Sequence, residues 1–198
     1  MTQATWPHGL ALTALGVAAL VYGLFLNGLR RWDMRRLQRE SGADMVEVET
    51  WFKPGRGRLS DLLRRGATLG IAYPLIVCGT TLIFNRKVGL PAAVATPVSS
   101  AVVMYSLGLS VLLALTCGGL LCVFCAGKLA AGNVLLALPR SGYDYAKAQR
   151  HMSGYGKAGP SWTISIRLLG VLVLGIAWFV GSTIADHLAP HLQAWFGK

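Results

Sequence analysis

Between His8 and Arg30 lie 21 consecutive residues, Gly9 to Leu29, without an Asp, Glu, Lys, Arg or His. A hydrocarbon core about 30 Å thick is crossed by roughly 20 helical residues. Backbone polar groups in lipid must satisfy one another, so only helices and closed barrels span it. Three further stretches meet the same length: about Ala67 to Phe84, the apolar stretch Val98 to Gly127, and about Thr163 to Ala185. None shows the strict alternation of a barrel strand. The expected fold is an all-α integral membrane protein, a single polytopic domain over 1–198 with four transmembrane helices in a bundle.

Residues 88–97 are apolar too, but Pro91 and Pro97 favour a loop or half-inserted piece there, with a fifth span as the alternative. The Val98–Gly127 stretch is long for a single crossing, so tilt or protrusion into water is expected. Pro74 is a place for the second span to bend.

Only 14% of residues are charged, against about a quarter in a soluble domain, and the charge is unevenly placed. Net charge is +11, which raises nucleic-acid binding as a function. Position argues otherwise, because ten of the 19 Lys and Arg residues lie between Arg30 and Arg65, directly between two spans. Basic residues there set orientation and meet lipid headgroups. Five more lie in 128–162, two in 86–97, one in the C-terminal tail and none before the first span. Loops 30–66 and 128–162 are therefore expected in the cytoplasm and both termini outside (N-out/C-out), in a bacterial inner membrane. The opening MTQATWPH lacks the basic residues of a signal peptide, so the first span is expected to be retained. Trp6 and Trp195 fall at the expected outer boundary and Trp32 and Trp162 at the inner; Trp51 and Trp178 fit neither.

Small residues recur along three spans. Gly9, Gly16 and Gly23 are spaced by seven, Gly66 and Gly70 by four, and Ala177, Gly181 and Ala185 by four. Helices in lipid associate through close backbone approach at such faces, so these residues are expected to pack helices within the chain or against other subunits.

No span interior carries an Asp, Glu, His or Lys, the groups that mark ion paths and proton relays. Arg167 lies close enough to the inner boundary to reach the headgroups, and Asp186 closes the last span. His187 and His191 have the i, i+4 spacing of a ligand pair. Pro190 between them is expected to bend or stop the helix, and no metal or cofactor is expected. The tail with Leu188, Leu192, Trp195 and Phe196 is expected to lie in the outer interface.

All four cysteines lie in apolar runs. Cys122-Val-Phe-Cys125 resembles the Cys-x-x-Cys of the membrane quinone-linked disulfide oxidases, four-helix proteins of similar length. That resemblance implies electron relay through a second cysteine pair on the oxidising side. Here the other two, Cys78 and Cys117, fall near mid-membrane, and Cys122 and Cys125 sit near the reducing cytoplasm. Cysteines serving as small hydrophobic residues are expected instead.

In loop 30–66, RRWDMRRLQRE is expected to continue the first helix and stop at Ser41-Gly42. In ADMVEVETWF, Glu47 and Glu49 alternate with Val46 and Val48. KPGRGRLSDLLRRG reads as an interfacial basic helix, with Arg56, Arg58, Arg64 and Arg65 expected to meet anionic lipid or a cytoplasmic partner. In 128–162, Ser141 is expected to cap a short helix running to Met152. No nucleotide loop, zinc-protease pair or nucleophile elbow is present, and no internal repeat.

The function expected from these features is that of a structural or assembly subunit of a larger membrane complex, such as secretion, conjugation or energy-transducing machinery, with enzyme activity left open as the less favoured reading. Its expected partners are other membrane subunits and anionic lipids. Two alternatives stand beside it: a transporter or oligomeric pore for a neutral or small solute, and a membrane thiol oxidoreductase using Cys122 and Cys125.

Overall fold

The computed structural model describes residues 5–87 and 97–196. The expected loop over 88–97 therefore lies, apart from Pro97, outside the described residues. Seven α-helices are present among the described residues, and no strand: α1 Thr5–Ser41, α2 Met45–Phe52, α3 Arg58–Lys87, α4 Pro97–Phe124, α5 Ala126–Ala137, α6 Tyr145–Gly154 and α7 Pro160–Phe196. Short 3-10 turns at Lys53–Gly55 and Pro139–Ser141 precede α3 and α6.

Three stretches among the described residues are long and apolar enough to cross a membrane: Pro7–Ser41, Tyr105–Phe124 and Pro160–His187. The row Leu168, Leu172, Trp178 and Phe179 on α7 is 60–81% exposed. A soluble fold rarely leaves so long an apolar row to water. Lipid is the solvent these side chains fit.

By contact the chain forms two compact units, one of Met1–Leu24, Arg65–Cys117 and Leu174–Lys198, the other of Phe25–Arg64 and Gly118–Val173. In the first unit, α1 meets α3 and α3 meets α4 at glycines. A Cβ on Gly16 would lie 2.9 Å from the Ile76 amide nitrogen and 3.0 Å from the Ala72 carbonyl. A Cβ on Gly70 would lie 2.6 Å from the Ala114 nitrogen and 2.7 Å from the Ser110 carbonyl. Backbone lies so near backbone at both crossings that only glycine fits.

The second unit has a small hydrophobic core of its own. Met34 from α1, Val48, Trp51 and Phe52 from α2, Val134, Ala137 and Leu138 from α5 and its end, and Ala148 from α6 are all buried together. Val48, Trp51 and Phe52 stand at i, i+3 and i+4, one face of a helix. Filling that face stabilises by about 1.5–3 kcal/mol per fully buried large side chain.

Local chemistry explains the helix ends. Gly42 takes the left-handed conformation (φ +68°) and its amide donates to the Gln38 carbonyl at 3.0 Å, closing α1 where expected. Asp44 precedes α2 and its carboxylate accepts from the Met45 amide at 2.7 Å. Asp144 caps α6, accepting from the Lys147 amide at 3.0 Å.

Three details differ from the sequence reading, and one segment it left unassigned takes a definite form. The third apolar stretch does not continue to Gly127: Cys125 leaves helical geometry (φ −114°, ψ 18°), ending α4 and starting α5. Segment 45–52 is a helix despite its alternating Glu and Val. Ser141 is not the cap of α6; it is buried in the preceding turn, where its hydroxyl donates to the carbonyls of Leu138 (2.9 Å) and Asp144 (3.2 Å). α7 runs unbroken past Pro190 to Phe196, since apolar helices accommodate a proline by local adjustment.

Two substitutions test this packing. Trp51→Ala should cost about 3–5 kcal/mol within the second unit, read as early proteolytic cleavage between Gly42 and Arg58 in detergent. Gly70→Val should lower the unfolding midpoint in detergent by the equivalent of roughly 1–3 kcal/mol. Gly175→Ala, where a Cβ meets nothing within 4 Å, should leave it unchanged or slightly raised.

Candidate functional site

The small residues singled out in the sequence separate by what they face. Gly9, Gly16 and Gly23 are all buried on α1. The Gly9 carbonyl accepts from the Thr13 hydroxyl at 2.9 Å. A Cβ on Gly23 would lie 2.5 Å from the Thr68 hydroxyl of α3. The glycine facing Gly9 is Gly79, whose added Cβ would lie 2.7 Å from the Gly9 carbonyl and against Thr13. Gly79 and Ala72 are the α3 half of this contact, and the sequence reading missed both. Their spacing of seven was the available signal.

Gly66 and Gly70 face α4. A Cβ on Gly66 would come within 2.5 Å of the Cys117 sulfur. Cys117 is thus the side chain that fills the space a glycine leaves. On α7, Ala177 is buried, Gly181 is in ordinary contact range of Leu112 at 3.5 Å, and Ala185 is exposed. These three line a groove of about 580 Å³ between α4 and α7, with Leu112 and Thr116 on one wall and Trp178 on its rim. The α7 face is therefore loosely filled, unlike the α1–α3 and α3–α4 crossings.

All four cysteines are free thiols. Within the second unit, Cys122 rests on α7: a Cβ on Gly170 would lie 2.8 Å from the Cys122 Cβ. Cys125 is only 3% exposed and occupies the break between α4 and α5. Its amide donates to Leu121, and its carbonyl accepts from Lys128 at 2.9 Å and Leu129 at 3.0 Å. The geometry uses the pair as a small contact and a helix break. The Cys125 sulfur is buried, so an external disulfide would have to approach the pair at the half-exposed Cys122.

Among the described residues no group of three or more His, Cys, Asp or Glu side chains converges as a metal site would. Asp186 and His187 are exposed on α7, and the His187 carbonyl accepts from the Tyr105 hydroxyl at 3.0 Å. Arg167 is exposed on the same helix. The side chains of Leu188, His191, Leu192, Trp195 and Phe196 lie outside those described.

The basic segment is more ordered than its composition suggests. Arg30 donates two hydrogen bonds to Asp61, at 3.1 and 3.2 Å, so the start of α3 is clamped to α1 by a bidentate pair. The two side chains are 15% and 22% exposed. Arg36 pairs with Glu40 at 2.7 Å and lies over the Trp32 ring. Glu40 also accepts from the Tyr143 hydroxyl at 3.0 Å, tying the end of α1 to the turn before α6. Burial pushes the Tyr143 phenol above its ordinary range, and that hydrogen bond adds to the shift. Burial raises Tyr145 as well.

Of the four arginines expected to meet lipid or a partner, Arg56 and Arg58 are exposed, while Arg64 and Arg65 are half-buried within α3. Arg56 donates to the Met34 sulfur at 3.3 Å. Around it stand Arg30, Arg31 and Arg35 of α1, a concentration of cations the sequence reading did not single out.

The chain matches no family model, no curated protein and no solved structure.

Asp61→Ala should expose the worth of the clamp. Removing the carboxylate leaves a half-buried guanidinium without its partner, and partial exposure limits the loss to about 1–2 kcal/mol. Thermal unfolding in detergent should show that loss, with partial recovery in an Arg30→Met/Asp61→Leu double variant.

Proposed function

We propose that this chain is a small polytopic subunit that acts by packing and docking, as a structural or assembly component of a larger complex in a bacterial inner membrane. Its two basic loops form a folded platform on the cytoplasmic side, and four helices anchor it. The observation that carries this reading is the core shared by Met34–Phe52 and Val134–Ala148.

Segments that share a core lie on one side of a membrane. The chain between them must therefore cross an even number of times. α4 supplies one apolar crossing, and the apolar Ala67–Phe84 of α3 is the stretch available for the return. This supports four spans with both termini on the side opposite the shared core, and Lys and Arg placement is what favours that side being outside.

A platform with its own packed core presents a fixed surface, as a partner-recognition element needs, whereas a lipid tether needs only charge. Exposed Val46, Leu136 and Tyr155 on that unit are apolar groups available to a partner. The loosely filled groove between α4 and α7 is where we place a transmembrane helix of a neighbouring subunit.

Mild-detergent purification followed by mass spectrometry tests the reading. A stable set of stoichiometric partners is expected from the native chain. Val48→Asp, which puts a carboxylate into the core, should still insert but lose the partners held by the platform. Recovery of the native chain alone, as a monomer, would overturn the proposal.

A further inference from the structure

A cavity of about 590 Å³ opens where the apolar run of α1 gives way to charge. Asn27, Arg30, Arg31 and Arg35 contribute from α1, Glu49 from α2, and Arg56 from the segment leading into α3. Asn27, Arg31 and Arg35 are four apart, which sets them on one stripe of the helix. α2 folds back beside that stripe through the core contacts of Val48, Trp51 and Phe52. The same fold brings Arg56 across to the Met34 sulfur.

The charges in the cavity do not cancel. Arg30 is committed to Asp61. No carboxylate lies within ion-pair distance of Arg31, Arg35 or Arg56 among the described residues. Against these three cations stands one anion, Glu49. Several guanidinium groups converging on one recess favour a multi-oxygen anion such as phosphate, because each presents a planar fork of donors. Glu49 accepts hydrogen bonds only, so beside the phosphate it fits a ligand that also carries hydroxyl groups.

Location selects the form of that phosphate. Arg30 is the first charged residue after the 21 uncharged residues Gly9 to Leu29 of α1. The cavity thus lies along α1 at the depth where phospholipid headgroups begin. We infer that the pocket of Arg31, Arg35, Arg56 and Glu49 binds the phosphodiester of an anionic phospholipid whose headgroup carries free hydroxyls. The inference rests on α1 crossing the membrane and is independent of whether the chain belongs to a complex. It also separates specific binding from the general attraction of a basic loop, since Arg58 lies outside the pocket.

Native mass spectrometry of the purified chain in mild detergent, with phosphatidylglycerol added, reads lipid adducts on this chain directly. Phosphatidylglycerol should be retained in preference to phosphatidylcholine and phosphatidylethanolamine. Arg31→Gln/Arg35→Gln should lower its retention about tenfold or more, at roughly a factor of five for each cation removed near the headgroups. Arg140→Gln/Arg150→Gln removes the same charge from exposed positions outside the pocket and should change retention by less than about twofold. Glu49→Leu, which removes both the charge and the acceptor, should raise retention of anionic lipids and erase the preference for hydroxyl-bearing headgroups. Equal losses in the two double variants would assign the binding to diffuse charge and overturn the proposal. Equal retention of the zwitterionic lipids, or displacement by soluble glycerol 3-phosphate at comparable concentration, would overturn it as well. The partner set found on copurification is a separate readout, so failure of either idea leaves the other standing.

Discussion

Two stretches far apart in the sequence share one hydrophobic core, and most of the molecule's organisation depends on that contact. Val48 and Leu138 are fully buried, and Trp51 and Phe52 close over them. Three of the four contributing helices are too short to be stable alone in water: α2 has 8 residues, α5 has 12 and α6 has 10. Each therefore exists because the others cover its apolar face. The arrangement turns two charged connectors into a folded unit.

The helices of the other unit solve a different problem. In lipid there is no gain from hiding leucine, so association depends on how closely backbones approach. At Gly16 and Gly70 the approach is tight enough to exclude even a methyl group without movement of backbone on the facing helix. Cys117, opposite Gly66, belongs to the same scheme as a small side chain filling a glycine-sized gap. The helix wall is built from residues too small to carry much chemistry. The structural role proposed above asks no more of it.

Much of this was legible in the sequence where one residue decides the local structure. Ser41-Gly42 ends α1 because only glycine takes φ +68° there without strain. The apolar lengths likewise announce helices, whatever their packing. Legibility failed where two periods overlapped. In Met45–Phe52 the alternation of Val46 and Val48 drew attention away from Val48, Trp51 and Phe52, which carry the helical spacing that the core uses, while Val46 is left exposed. It failed again at Cys125, where an apolar run changes direction without a proline or charge to mark the break. Pro190 was misleading as a stop signal, because α7 continues through it to Phe196 and apolar helices tolerate proline.

The arginines show why composition alone points to the wrong members of a cluster. Arg58, Arg64 and Arg65 stand close together in sequence, but so do Arg30, Arg31, Arg35, Arg36 and Arg39, so local charge density does not choose between the two groups. Arg64 and Arg65 lie within α3, half-buried, where helical geometry turns successive residues by about 100° and scatters their charges around the axis. Arg31 and Arg35, separated by one helical turn, point the same way, and the return of the chain through α2 adds Arg56 from far along the sequence. A cationic recess thus arises from the same core contact that orders the loops. If Trp51 and Phe52 were not buried, Arg56 would have no reason to face α1, and the positive charge would be spread over a flexible connector. Folding of the connector converts a general affinity for anionic surfaces into a site with defined walls.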